Sequence, residues 1–168
     1  VGLGRAIIAG DVTDSTWTIT GPCGLVQAGR SLTDSTISAG RRIGRITLGA
    51  IDGSDILAGV DALGGRYATA AGHFATNSTI GTVDIRGIAG EDRCVVDSNV
   101  SAAAIGRVNL HNPQFDNGGT PFGMHVSSGA ARPIGTVFSR DDALGWTWQW
   151  RPRTPMDFTL QDFLVNVI

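Results

Sequence analysis

Neighbouring carboxylates are the first residues in this sequence that could do chemistry. Asp141 and Asp142 are adjacent, and a pair of carboxylates can serve as general acid and base in glycoside cleavage. In a turn after a strand, however, two Asp residues more often accept hydrogen bonds from backbone amides. A catalytic role would require them to converge in one groove with others such as Asp84, Asp97 or Asp116. From the sequence we predict no catalytic residue.

Acidic residues at a constant offset are a second kind of candidate site. Asp14 and Asp34 are twenty residues apart, and Asp52 or Asp55 falls at about the next step, so their carboxylates could converge on Ca²⁺. An Asp before Ser or Thr at a corner more often makes a turn hydrogen bond, and the calcium motif Gly-Gly-x-Gly-x-Asp is absent. Isolated histidines without partners at metal-ligand spacing are His73, His111 and His125. We therefore predict no metal site and no cofactor.

A row of alternating tryptophans is the strongest binding candidate. On a strand, Trp146, Trp148 and Trp150 would project their rings from one face, with Thr147 and Gln149 on the other. Such a row can stack on sugar rings. It can equally close the open end of a stacked fold, and packing is favoured because an apolar C-terminal segment follows it.

Charge and composition restrict the class of partner. The chain has 168 residues, of which 17% are charged, and its formal net charge is −2. Its thirteen basic residues are all Arg and are scattered along the sequence, so no nucleic-acid or anionic-membrane surface is predicted. A membrane-spanning helix needs roughly 18 uncharged apolar residues in a row, and no stretch approaches that length. Membrane insertion is therefore not predicted.

An internal repeat indicates the elements that position these residues. The tetrapeptide Thr-Asp-Ser-Thr at residues 13–16 recurs at 33–36, and Gly4, Gly24 and Gly44 keep the same twenty-residue step. A phrase beginning with Ile-Gly is found at residues 43–48, 80–85, 105–110 and 134–138. Within this phrase apolar and more polar residues alternate, which indicates half-buried strands.

A unit of about twenty residues cannot bury its own apolar face, but stacked units align Ile over Val in a continuous inner column. The sequence therefore predicts an all-β fold, a right-handed parallel β-helix (β-solenoid) of about six rungs of roughly 20 residues with inserted loops and a C-terminal cap. Cys23 and Cys94 then fall more than one rung apart, at about 4.8 Å per rung. We expect two free, inert thiols, because a disulfide needs Cα atoms within about 7 Å.

Uneven spacing of the Ile-Gly phrases divides one predicted domain, residues 1–168, into segments. Its parts are regular rungs at 1–59, an insertion or degenerate rung at 60–79, rungs with loop insertions at 80–138 and a Trp-rich C-terminal cap at 139–168. The N-terminal end has neither a comparable cap nor a signal peptide. This predicts a larger parent chain on the N-terminal side.

The repeated phrase Ile-Gly-x-Val/Ile-x-Leu/Ile-x-Gly, followed by Ser/Thr-x-Ile-x-Ala-Gly, resembles the repeats of large bacterial surface and autotransporter-like right-handed parallel β-helix proteins. Residues 3–59 and 80–138 carry the resemblance. It implies an extracellular or cell-surface location, but the same coil serves adhesins, passenger domains, polysaccharide lyases and phage tailspikes. The motifs expected of a polygalacturonase-type enzyme, Asn-Thr-Asp, Gly-Asp-Asp, Gly-His-Gly and Arg-Ile-Lys, are absent.

These observations predict a non-enzymatic structural or adhesive β-solenoid module. The coil would act as a rigid spacer, and the insertions at 60–79 and 111–133 would offer a contact surface for glycans or other cell-surface components. The alternative is a carbohydrate-binding or carbohydrate-active β-helix, either a binder that uses the Trp row or an enzyme of the lyase or hydrolase type.

Overall fold

The computed structural model describes residues 1–61, 65–152 and 156–168. Residues 62–64 of the predicted insertion and 153–155 of the predicted cap lie outside the described residues. Within the described ranges one turn of 3-10 helix spans Ala71–His73, and no α-helix is present. The strands of these ranges, in chain order, are β1 (Leu3–Ile8), β2 (Val12–Thr13), β3 (Thr16–Ile19), β4 (Cys23–Ala28), β5 (Ser31–Thr33), β6 (Thr36–Ala39), β7 (Arg42–Leu48), β8 (Ala50–Asp52), β9 (Asp55–Ala58), β10 (Thr79–Ile85), β11 (Val95–Val96), β12 (Asn99–Ala102), β13 (Ala104–His111), β14 (Phe122–Val126), β15 (Ile134–Asp141), β16 (Trp146–Trp150), β17 (Phe158–Leu160) and β18 (Phe163–Val167).

In the described part of the chain, these strands form three sheets. Sheet A has the order β1-β4-β7-β10-β13-β15-β16, sheet B the order β11-β8-β5-β2, and sheet C the order β17-β18-β14-β12-β9-β6-β3. Pairing is parallel except between β15 and β16 and between β17 and β18. From β1 to β13 the chain passes from sheet A through sheet B to sheet C and then returns to sheet A beside its previous strand, whereas β13 is followed directly by β14 of sheet C. This all-β arrangement of parallel sheets is compatible with the predicted β-solenoid.

The interior is a column of aliphatic side chains on sheet A. Ile46, Val83, Val108 and Val137 are register partners on successive strands, and each is at most 1% exposed. Burial of such a side chain contributes about 1.5–3 kcal/mol, so the column is a main source of stability. The predicted alternation of this phrase is confirmed.

Sheet B is a feature that the repeat did not predict. Its strands β2, β5 and β8 contain only two or three residues, too few to show alternation. Each lies where the sequence indicates a corner. The coils that begin with β1, β4, β7 and β10 therefore have three strands each, and the repeated Ser/Thr-x-Ile-x-Ala-Gly segments at residues 35–40 and 54–59 contain β6 and β9 of sheet C.

A ladder of serines joins the coils at the corner between sheets B and C. The Ser54 hydroxyl accepts a hydrogen bond from the Ser35 backbone N–H at 3.0 Å and donates to the Asp52 carbonyl at 2.8 Å. The Ser35 hydroxyl accepts a hydrogen bond from the Ser15 N–H in the same way, and the Ser98 hydroxyl accepts one from the Ser54 N–H. Ser54 is fully buried. At the corner, these serine hydroxyls accept hydrogen bonds from backbone N–H groups that are not paired within a sheet.

Ser54→Ala should lower the free energy of unfolding by about 1–3 kcal/mol, because the buried Ser35 N–H loses its acceptor. Urea denaturation of the variant measures this change. The matched control is Ser15→Ala, since the exposed Ser15 hydroxyl accepts no backbone N–H from a described residue. Equal losses in the two variants would contradict a role for the ladder in joining coils.

A column of glycines lies near the start of the sheet A strands. A Cβ atom at Gly24 would lie 2.2 Å from the Gly4 carbonyl oxygen, and one at Gly81 would lie 2.4 Å from that of Gly44. Such distances are far below contact distance, so a side chain cannot be placed there without moving the backbone. The members of the column are Gly4, Gly24, Gly44, Gly81, Gly106 and Gly135. Close stacking of coils therefore explains the glycine in each repeated phrase.

The segment at 60–79 connects β9 of sheet C to β10 of sheet A. Its described residues include the 3-10 turn and a β-bridge between Val60 and Phe74. β10 pairs directly with β7, with Ile80 opposite Ile43. The pairing of coils thus continues from β7 to β10 across the insertion, and the insertion's described residues before Thr79 form no strand of the three sheets.

Candidate functional site

The tryptophan row lies on β16, which pairs antiparallel with β15 at the end of sheet A. Trp146, Trp148 and Trp150 are half-buried, whereas the residues between them are exposed. The ring centroids of Trp148 and Trp150 lie 5.1 and 5.3 Å from that of Phe158, and Trp146 stacks on Phe115 at 5.8 Å. The rings therefore contact protein side chains over much of their surface.

Most of the candidate carboxylates are held separately. Asp84 is ion-paired on the outer face of sheet A. Asp141 is buried at the end of β15 and accepts a hydrogen bond from the Leu144 backbone N–H at 2.9 Å. Asp116 accepts a backbone hydrogen bond within its own loop. These three carboxylates occupy separate positions rather than one groove.

Asp142 forms a pair with a histidine at the end of sheet A. Its carboxylate lies 2.7 Å from His111 Nε2 and 2.6 Å from Arg140 Nε. The hydrogen bond from Arg140, followed by that from His111, lowers the pKa of Asp142. A His–carboxylate pair can orient an imidazole for acid–base chemistry. Here, however, His111 Nδ1 contacts the Arg86 carbonyl oxygen. Both ring nitrogens are occupied by protein groups, and neither is available to a substrate.

Two carboxylates do converge on Arg66 of the inserted segment. Arg66 lies 3.2 Å from Asp55 and 2.8 Å from Asp97. Asp55 is only 6% exposed, and burial raises its pKa despite the hydrogen bonds from Asn99 and Arg66. The guanidinium balances one of the two carboxylate charges and holds the insertion on sheet C. This cluster is therefore an anchor for the segment rather than an open acid–base site.

A buried histidine extends the same network. Asn99 donates to Asp55 at 3.0 Å, and its carbonyl oxygen lies 3.2 Å from His125 Nε2. Tyr67 of the inserted segment stacks on the His125 ring at 3.9 Å. Burial lowers the pKa of His125 to about 4. Within the described residues His125 Nδ1 and the Ser101 hydroxyl are buried without hydrogen-bond partners.

The acidic residues considered for calcium hold the backbone at corners. Asp14 and Asp34 have φ angles of 47° and 46°. On the next two coils the same corner position is occupied by Gly53 and Asp97, which also have positive φ angles. This left-handed conformation is tolerated by Asp and Gly. Across the described ranges no group of three or more His, Cys, Asp or Glu side chains could hold a metal ion. Cys23 and Cys94 are buried and unpaired in the same ranges, and burial raises the pKa of both thiols.

The two predicted contact segments meet in a cleft of about 460 Å³. Residues 74–79 form one wall, residues 127 and 129–132 the other, and Ala103 and Ala104 the base. The lining is mainly small and hydroxyl-bearing, with Arg132 as its charged residue. Such a surface can offer hydrogen bonds to a ligand, but it contains no acid–base pair among its described residues.

An arginine–glycine strip, defined as the glycine column with Arg5, Arg45 and Arg107 beside it, lies on the outer face of sheet A. These arginines occupy one register position on alternate strands. Two clefts follow the column, of about 520 Å³ at Gly4–Gly44 and about 410 Å³ at Gly81–Gly135. Coil stacking thus aligns basic residues that the linear sequence separates.

Sequence reasoning did not identify this strip, although a signal was present. Gly-Arg occurs at residues 4–5, 44–45 and 106–107, at the same point of the repeated phrase.

No helix of the described chain is long and apolar enough to cross a membrane. No protein-family model, curated protein or solved structure matches the chain.

Proposed function

We propose that this chain is a non-enzymatic structural or adhesive module, part of a larger extracellular or cell-surface bacterial protein. Its architecture would be a right-handed parallel β-helix of about six rungs. The order of strands supports this proposal, because from β1 to β15 each return of the chain to sheet A places the next strand beside the previous one. Crossovers between parallel strands of one sheet are right-handed in about 98% of cases.

The observation that carries the proposal is the continuity of the coil-to-coil columns. Aliphatic, serine and glycine columns run along the stack, and their side chains or backbone atoms are used in packing one coil on the next. Repeats joined by nearest-neighbour contacts form extended, stiff structures. Most polar residues with catalytic potential are engaged in ion pairs or hydrogen bonds. A spacer or adhesive module requires this rigidity and no converging reactive groups.

The alternative, a carbohydrate-binding or carbohydrate-active β-helix, has one observation in its favour. The three Trp rings retain partial exposure on a single strand. Their contacts with Phe158 and Phe115 instead favour packing, because a ring covered by other rings offers less area to a sugar. The converging carboxylates of Asp55 and Asp97 are both ion-paired with Arg66, which favours anchoring over hydrolysis.

A glycan array probed with the wild-type protein and with Trp148→Ala separates these functions. We expect the same binding pattern for both proteins, while Trp148→Ala lowers the free energy of unfolding by about 2 kcal/mol through lost packing on Phe158. Thr147→Ala, on the exposed side of the same strand, is the control and should change neither quantity. Loss of sugar binding in Trp148→Ala alone would support the aromatic platform. Release of shortened glycans by the wild-type protein would overturn the non-enzymatic proposal.

A further inference from the structure

We infer that the arginine–glycine strip on sheet A binds an acidic polysaccharide, a chain of sugars bearing carboxylates, laid along the stacking direction of the coils. The inference rests on the proposed adhesive function and names its ligand class. It is carried by the spacing of the charges, the floor between them and the chemistry of the lining residues.

The charges of the strip form a regular series. Neighbouring strands lie about 4.8 Å apart, so Arg5, Arg45 and Arg107 on alternate strands repeat every ~10 Å. Arg45 is paired with Asp84 at 2.9 Å. Arg5 and Arg107 are exposed, and neither has a carboxylate partner among the described residues. Arg107 Nε donates to Asn109 Oδ1 at 3.1 Å, which leaves the two Nη groups of Arg107 and the guanidinium of Arg5 for hydrogen bonds to carboxylates.

Hydroxyl groups lie beside two of these charges, whereas Leu25 lies between Arg5 and Arg45. Thr82 lies between Arg45 and Arg107 in the register, and Thr136 follows Arg107. Threonine hydroxyls donate and accept hydrogen bonds, as sugar hydroxyls require. One sugar ring advances a polysaccharide by about as much as one coil advances the stack. From Arg45 to Thr136 the order of guanidinium and hydroxyl groups therefore matches a polymer that carries carboxylates and hydroxyls in repeating order.

The glycine column supplies a floor on which a polymer can lie. Because glycine has no side chain, a ligand can approach the backbone closely. The clefts along this floor add Arg42 near Gly44 and Arg132 near Gly135, and their described lining contains no Asp or Glu. The ligand would therefore meet positive charge on an otherwise uncharged floor.

A polysaccharide fits this strip better than a nucleic acid does. Proteins that bind single-stranded nucleic acids stack the bases on aromatic rings. The described lining of both strip clefts contains no aromatic residue. Duplex binding requires a strongly basic surface, whereas this chain has a formal net charge of −2. Isolated arginines on alternate strands suit the lower charge density of a uronate polymer.

Binding of alginate, uncharged dextran and single-stranded oligothymidylate to the intact chain tests the inference. We expect alginate to bind, with an affinity that falls as salt is raised, and dextran and oligothymidylate not to bind. Arg5→Gln combined with Arg107→Gln should weaken alginate binding roughly tenfold, because two charge-assisted contacts are lost. Both residues are exposed, so the fold should persist, and circular dichroism verifies this.

The charge-matched control is Arg30→Gln combined with Arg140→Gln. Both arginines are exposed and lie at the opposite ends of the sheet A strands, away from the glycine column. This control should change alginate affinity by less than about twofold. No alginate binding, equal binding of dextran, tighter binding of oligothymidylate, or equal weakening by the control would overturn the inference. Shortening of alginate would instead overturn the proposed non-enzymatic function and leave binding at the strip intact.

Discussion

Gly81→Ala should lower the free energy of unfolding by about 3–5 kcal/mol and prevent folding if the protein is less stable than that. The added methyl would lie 2.4 Å from the Gly44 carbonyl oxygen, and the coil above rests on Gly81 in the same way. The backbone must therefore move, which disturbs sheet A on both sides of the substitution. Chemical denaturation followed by circular dichroism measures the loss.

Gly4→Ala is the matched control for this substitution. Gly4 begins the same column, but no described atom lies within 4 Å of the position of its added Cβ. We expect a change of less than about 1 kcal/mol, since only the backbone preference of glycine is altered. A Gly81→Ala protein as stable as Gly4→Ala would show that coil spacing adjusts freely and that the glycine column does not control it.

Acidification should destabilise the protein through His125. Its pKa is about 4 in the folded state, against 6.5 for an unperturbed histidine. Between these values the unfolded chain binds a proton that the folded chain does not, so stability decreases as pH falls from about 6.5 to about 4. The full loss from this residue is about 3 kcal/mol. Below pH 4 both states are protonated and the contribution stops changing.

Denaturation curves at several pH values, compared between the wild-type protein and His125→Gln, isolate this contribution. Gln can still donate to the Asn99 carbonyl oxygen but does not titrate, so its stability should fall less on acidification. Burial raises the pKa of Asp52 and Asp55, whose effects run in the opposite direction and remain in both proteins. Identical pH profiles for the wild-type protein and His125→Gln would refute the prediction.

The sequence predicted the stacked strands because their signal is local and repeated. Ile46, Val83, Val108 and Val137 occupy the same place in the Ile-Gly phrase, and their common burial follows from alternation. The glycine in this phrase was visible too. The physical reason for this glycine is its contact with the carbonyl oxygen of the preceding coil. That contact joins segments distant in the sequence, so only the folded structure reveals it.

Features formed between distant segments were not predictable in this way. Asp55, Arg66 and Asp97 meet only because the inserted segment folds back on the outer face of sheet C. His125 has no sequence neighbour that reveals its burial or its stacking on Tyr67. The short strands of sheet B have too few residues to produce a periodic pattern. Each of these depends on contacts that a single repeat does not contain.

The serine ladder gives the stack a direction. The hydroxyls of Ser35, Ser54 and Ser98 each accept the backbone N–H of the serine one coil earlier, so every step of the ladder has the same polarity. Coils of this kind are compatible with one another only in head-to-tail order. Tandem duplication of a gene segment encoding one coil preserves this order automatically. The architecture can therefore change in length during evolution by whole coils, without any new type of contact.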